Sequence, residues 1–217
     1  MSSKMSDVEA HYVHPVAPRR LKLGNPGPLG LFSFASTTLI LSLYNVHARG
    51  IDTPNVVVGM ALFCGGLAQL LAGMWEFATG NTFGATAFTS YGAFWLSFAA
   101  LLIPGSGIGE AYASSANPAK EGDAIAIYLT AWAIVTFLFF IATLRKSIGL
   151  SLLFCSLTVT FVVLAIADYR GNDNIGKTGG AFGILTALIA YYCGLAELLT
   201  EDDLFTIPLG KYASKNA

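Results

Sequence analysis

Glu76 and Glu197 are the two acidic residues that fall within or at the edge of this chain's long apolar runs. An ionisable group at membrane depth is by default a functional-site hypothesis. Glu76 could exchange protons or hydrogen-bond a carboxylate; the alternative is an interfacial charge that caps the polar turn Thr79-Gly80-Asn81-Thr82. Glu197 adjoins Glu201, Asp202 and Asp203 and reads more simply as part of an acidic helix end. A further candidate is Asn25-Pro26-Gly27-Pro28-Leu29-Gly30-Leu31, where a capping residue precedes a proline suited to the first helical position. The backbone N–H groups left free at such a helix start suit an anion. Thr37, Thr38, Ser90, Tyr91 and Thr158 add neutral donors, and Phe34, Phe94 and Trp95 add aromatic surface. That lining fits a small solute with one polar and one methyl end. It equally fits ordinary helix packing in lipid.

Other chemistries find no support. Gly171-Asn-Asp-Asn-Ile-Gly176-Lys177-Thr178 satisfies the nucleotide-binding pattern G-x-x-x-x-G-K-[ST], but that pattern works only between a strand and a helix. Here an apolar run of helix length precedes it, so it reads as a polar turn joining two helices. Gly105, Gly107 and Gly109 make a similar near-match and fail for the same reason. His11, His14 and His47 lie in polar segments, and no Ser/His/Asp or Cys/His arrangement appears. Cys64, Cys155 and Cys193 sit inside apolar runs, where cysteine behaves as a small apolar residue. No enzyme activity, cofactor, metal or nucleic-acid partner is expected.

The elements that must position these residues are six apolar runs, near Leu29 to Val46, Asn55 to Trp75, Gly84 to Ile103, Ile125 to Leu144, Ile148 to Ala167 and Gly179 to Leu199. Each approaches the about 20 residues that a membrane-spanning helix needs. Composition agrees: 54% of residues are hydrophobic and 12% charged, about half the charge of a soluble domain. The fold class expected is therefore an all-α membrane protein with six transmembrane helices. A cytoplasmic polar and basic tail is expected over 1–24, the six-helix transmembrane domain over 25–200 and a C-terminal cytoplasmic tail over 201–217. The longest loop is Pro104 to Asp123.

Positive charge sets the threading. Lys4, Arg19, Arg20, Lys22, Arg145, Lys146, Lys211 and Lys215 fall on one side, and Arg49, Lys120, Arg170 and Lys177 on the other. Both termini are accordingly expected in the cytoplasm, with no Lys or Arg inside a span. Small residues at helical spacing in the second run, such as Ala61 and Gly65 or Gly66 and Gly73, are expected to let helices approach closely.

The segment Asn25 to Leu31 resembles the N-P-A-P-L-G-L signature of the acetate uptake transporter family, with Gly27 in place of the commonest Ala. Gly66-Leu-Ala-Gln69, Gly73, Glu76, Gly80-Asn-Thr-Phe-Gly84, Ala87-Phe88 and Ser90-Tyr-Gly92 follow the same family pattern, and the likeness runs from Asn25 through Gly210. That family contains bacterial acetate/succinate:proton symporters and fungal acetate or ammonia-export proteins. The resemblance implies a homohexamer in which every six-helix subunit has its own narrow path. It also implies a constriction that corresponds here to Phe34, Tyr91 and Leu157.

By that resemblance the chain is expected to move acetate, and other small carboxylates such as succinate, together with protons. Asn25 and the helix start around it would orient the carboxylate, Glu76 would offer a protonatable contact, and Thr38 and Asn81 complete the candidate set. The longer third loop and basic tail look more like fungal members, which points to a plasma membrane. Three alternatives stay open: an acetate anion channel, an ammonium or ammonia exporter, and a membrane sensor of acetic acid acting through Ser2, Ser3 and Ser6. Symport, anion channelling and passage of the neutral acid are equally compatible with these residues.

Overall fold

A computed structural model describes residues 23–118 and 120–212. The candidate regulatory serines, the histidines His11 and His14, the four basic residues before Leu23 and Lys215 lie outside the described residues. Six long helices carry the fold: α1 Gly27–Asn45, α2 Val57–Thr79, α3 Thr82–Leu102, α4 Lys120–Thr143, α5 Ile148–Arg170 and α6 Asp173–Leu198. At 1.5 Å per residue each approaches or exceeds the about 30 Å of a bilayer's hydrocarbon core. Large apolar side chains such as Phe63, Ile134, Leu138 and Leu188 are exposed on the outside of the bundle. The helices thus turn hydrophobic surface both inward and outward, as lipid-facing helices do.

Helix ends differ from the apolar runs in informative ways. α4 begins at Lys120, because a Lys120–Asp123 ion pair one turn apart supports a polar first turn. α6 begins at Asp173, where the Asn172 side chain accepts from the N–H groups of Asn174 and Ile175. The nucleotide-like stretch is therefore a two-residue turn, with Gly171 in the left-handed conformation that ends α5, followed by the opening turns of α6. The long third loop contains a short helix, Ile108–Ala113. These extensions bring Lys120, Arg170 and Lys177, as well as Glu121, Asp168 and Asp173, into the helices. The expectations of spans free of Lys and Arg, and of only two acidic groups in them, are corrected accordingly.

Close backbone packing runs α4–α5–α6–α1–α2–α3. A Cβ on Gly73 of α2 would lie 2.6 Å from the backbone nitrogen of Thr89 on α3, so this pair approaches as closely as only glycine permits. No comparable approach joins α3 to α4 among the described residues. Aromatic side chains bridge that gap, with Phe83 against Phe139, and Phe94 and Tyr91 against Trp132. The interior is therefore lined by rings between two helices held apart.

The end of the bundle that carries the α1 N-terminus is tied by short caps. Gly80 adopts φ +84° to end α2, and the Asn81 side chain accepts from Gly84 N–H to start α3. At α5, the N–H groups of Ile148 and Gly149 donate to the carbonyls of Gly210 and Leu209, so the chain's last described stretch folds back as a cap. The Tyr192 hydroxyl donates to the Pro208 carbonyl at 2.7 Å and fastens that stretch to α6.

Candidate functional site

Two cavities enter the bundle from opposite ends. The wide one, of about 350 Å³, opens among the C-terminal ends of α1, α3 and α5 and the N-terminal ends of α4 and α6. The narrow one, of about 60 Å³, opens among the α1 and α3 N-termini and the C-terminal ends of α2 and α6. Phe34 lines both. Leu157 faces the wide cavity and Tyr91 the narrow one, and all three are buried.

Each of the three is held in place. The Phe34 and Tyr91 ring centroids are 5.6 Å apart, while Phe154 and Trp132 flank Tyr91 at 6.2 and 5.9 Å. The Tyr91 hydroxyl is paired with the fully buried Thr136 hydroxyl of α4 at 2.8 Å. That bond spans the α3–α4 gap and leaves the ring face as the surface that closes the path.

Around the narrow cavity the structure gathers Glu76, Asn81, Glu197 and Gln69. Asn81 Nδ2 donates to Glu76 Oε2 at 2.9 Å, and the Thr79 hydroxyl lies 3.3 Å from the same oxygen. Glu76 itself is 3% exposed. Both of its side-chain hydrogen bonds fall on Oε2, so the second oxygen remains for the cavity. Asn25 stands at the rim: its Nδ2 donates to the Glu197 carbonyl and its Oδ1 accepts from Gly27 N–H at 2.9 Å.

The helix start offers less to an anion than its sequence suggests. Asn25 satisfies the Gly27 N–H, Pro28 has none, and the Gly30 N–H donates to the Pro26 carbonyl. Only the Leu29 N–H in that first turn is left without a partner among the described residues. Thr158, grouped above with the lining donors, donates to the Phe154 carbonyl of its own helix.

The lining also holds polar atoms that have no partner, and charged groups that the sequence reading did not group together. Thr38 Oγ1 and Trp95 Nε1 on the wide side, and Gln69 Oε1 on the narrow side, are buried without a hydrogen-bond partner among the described residues. Asp52, Glu121, Asp168 and Asp173 converge from separate stretches on the wide cavity, beside His47. His47 lies 3.2 Å from Asp173 and Lys177 lies 2.7 Å from it. These carboxylates are the nearest approach to a cation site, which the sequence had not suggested. Among the described residues no group of three or more His, Cys, Asp or Glu could hold a metal ion.

Known proteins match along most of the chain. The family described as GPR1/FUN34/yaaH matches residues 9–211. The Saccharomyces cerevisiae protein named ammonia transport outward protein 2 is 46% identical over 184 residues, covering 85% of this chain and 64% of that protein. The chain thus spans less than two thirds of that yeast relative's length. The succinate-acetate/proton symporter SatP of Escherichia coli K12 is 40% identical over 192 residues, covering 88% of this chain and 97% of the relative. The solved structure of the bacterial acetate channel SatP aligns with a TM-score of 0.75 at 39% identity, covering 87% of this chain and 100% of that one.

Proposed function

The chain belongs to the GPR1/FUN34/yaaH family, and from that premise we propose that it is a multi-pass transporter of acetate and other small carboxylates such as succinate. The observation that carries this reading is the pair of cavities that meet at Phe34. They make a path nearly continuous through the bundle, interrupted by one layer of apolar side chains. Phe34, Tyr91 and Leu157 act as a hydrophobic gate, which passes small solutes and resists wide or strongly hydrated ones. Glu76, held by Asn81, presents a carboxyl to the solute in the narrow cavity, and Thr38 offers a hydroxyl in the wide one. Asn25 acts at the rim through its bond to α6.

The protein works in a plasma membrane as a homo-oligomer, a hexamer by resemblance, with both termini cytoplasmic. The distribution of Lys and Arg supports that threading. In this orientation the wide, acid-lined cavity faces outward. Reconstitution into liposomes tests the reading: protein-dependent, saturable uptake of labelled acetate, reduced by unlabelled succinate, is expected.

A second reading, ammonium or ammonia export, draws on the carboxylates around the wide cavity, since acidic side chains attract small cations. Protein-dependent flux of methylammonium without flux of acetate would put that reading first.

A further inference from the structure

We propose that the turn joining α4 to α5 and the folded-back C-terminal stretch together form a binding site for an anionic phospholipid, whose phosphate they hold at the narrow-cavity end of the bundle. This goes beyond the transport reading and concerns a surface outside the solute's path.

The fold brings together cations that the sequence keeps apart. Arg145 and Lys146 occupy the turn 144–146 between α4 and α5. Lys211 comes from the far end of the chain, yet its backbone pairs with Ser147 in an antiparallel bridge. The N–H groups of Ile148 and Gly149 donate to the Gly210 and Leu209 carbonyls at 3.0 and 3.2 Å, which fixes the juxtaposition. All three cations are exposed, and none is ion-paired with a described residue. The acidic residues of the same stretch, Glu201, Asp202 and Asp203, are separated from Lys211 by residues 204–210.

The turn is firmly held. Lys146 N–H donates to the Thr143 carbonyl at 2.8 Å, and the Ser147 side chain caps α5 by accepting from Leu150 N–H at 3.2 Å. Lys146 Nζ rests 4.9 Å from the centroid of the Phe83 ring on α3. That cation–π contact orders a long side chain before any ligand arrives and still leaves it N–H donors to offer.

The surface next to these cations is apolar and faces outward. Ile141 near the end of α4, Leu144 in the turn, and Ile148 and Leu152 at the start of α5 are each about half exposed. Ile148 and Leu152, four residues apart, share one face of α5. Cations beside such a stripe match the two parts of a phospholipid. Arg can grip a phosphate through two N–H groups and Lys meets it as a point charge, while the acyl chains lie along the apolar side chains. A soluble phosphate would use the cations alone. On the threading above this end faces the cytoplasm, whose leaflet carries the anionic lipids that attract basic segments beside membrane helices.

The site adjoins the narrow mouth. Phe83, beneath Lys146, lines the narrow cavity, as does Leu150 in the first turn of α5. A lipid phosphate bridging Lys146 and Lys211 clamps the C-terminal stretch onto the helix start that borders that cavity.

The test is lipid retention by the full chain, extracted from nanodiscs of phosphatidylcholine doped with phosphatidylserine and read by native mass spectrometry. Wild type is expected to retain phosphatidylserine in preference to phosphatidylcholine. The Arg145→Gln, Lys146→Gln, Lys211→Gln triple variant should bind it about a hundredfold more weakly, at about a factor of five per cation. Lys146→Arg, Lys211→Arg should keep the preference, and glycerophosphoserine, the headgroup without acyl chains, should not compete at equal concentration. An unchanged preference in the triple variant would overturn the proposal. So would wild-type preference in both single variants Lys146→Gln and Lys211→Gln, a result that stands even if the triple variant fails to fold. Loss of the preference in Arg19→Gln, Arg20→Gln, Lys22→Gln instead would move the site to the N-terminal tail, and equal competition by glycerophosphoserine would make it a soluble-phosphate site. A changed subunit number in the triple variant with lipid retention intact would show that this face lies between copies of the chain, and each of these three results overturns the proposal as well.

Discussion

Asn81 donates to Glu76 Oε2 across 2.9 Å while its own carbonyl oxygen accepts from Gly84 N–H at 3.1 Å. One amide thus caps α3 and fixes the carboxyl that ends the lining of α2. The turn between these helices and the polar end of the narrow cavity are a single structure.

Replacing Asn81 with Ala removes both contacts. Loss of an N-cap costs about 1 kcal/mol, and a buried carboxylate deprived of a charge-assisted hydrogen bond loses about 1.5–3 kcal/mol. Thermal unfolding in detergent should show Asn81→Ala clearly less stable than wild type, whereas Asn81→Ser, which keeps a capping oxygen, should recover part of the loss. Equal unfolding temperatures for wild type and Asn81→Ala would rule out this dual role.

Glu76→Gln separates a proton-carrying side chain from a positioned one. A Gln carbonyl can still accept from Asn81 and Thr79, so the turn is expected to fold normally. If Glu76 only positions the solute, acetate uptake by Glu76→Gln keeps its pH profile. Abolished pH dependence with normal surface expression would place the proton on Glu76 instead.

Tyr91 distinguishes wall from tether. Tyr91→Phe keeps the ring but strands the buried Thr136 hydroxyl, at a cost of about 1–3 kcal/mol, so stability should drop while discrimination between acetate and larger acids persists. Tyr91→Ala and Phe34→Ala remove the wall itself and should admit butyrate and benzoate. Wild-type discrimination in both alanine variants would mean the constriction lies elsewhere.

The α2–α3 contact should respond to a single methyl group. Gly73→Ala drives a Cβ against the Thr89 backbone, and overpacking of this kind costs about 1–3 kcal/mol. A Cβ on Gly59, in the same helix, would meet nothing within 4 Å, so Gly59→Ala should be neutral or slightly stabilising. Comparable unfolding temperatures for the two variants would show that the close approach is not required.

The six helices were legible because a bilayer demands long apolar runs, and such runs leave little room for misreading. Their ends were not: α4 and α6 start in polar sequence whose helicity comes from Asn172 and the Lys120–Asp123 pair, features that a hydropathy pattern passes over. Glu76 stood out as an acidic residue at the edge of an apolar run, whereas Asn81 lay in the polar turn after it. Phe34 and Tyr91 were legible only as generic lining residues, and their grouping with Leu157 as a constriction came from family resemblance, since an aromatic or Leu in a membrane helix has no distinguishing local pattern. Thr136 is the instructive miss. Thr37, Thr130 and Thr160 all donate to carbonyls four residues back, so nothing in the sequence marks the one threonine that reaches across to Tyr91. The wide-mouth carboxylates were missed because they come from stretches far apart in the chain and meet only in the fold.

Because Phe34 borders both cavities, the separation between the two sides of the bundle is one side chain deep. Side-chain rotamers interconvert far faster than helices shift against each other, so opening such a barrier requires no rocking of the bundle and no empty carrier that must return before the next turnover. Unlabelled acetate placed on the far side should therefore leave the efflux rate of labelled acetate unaccelerated, the kinetic behaviour of a pore with a flap in it, while a shuttle whose return is rate-limiting would show stimulation by exchange.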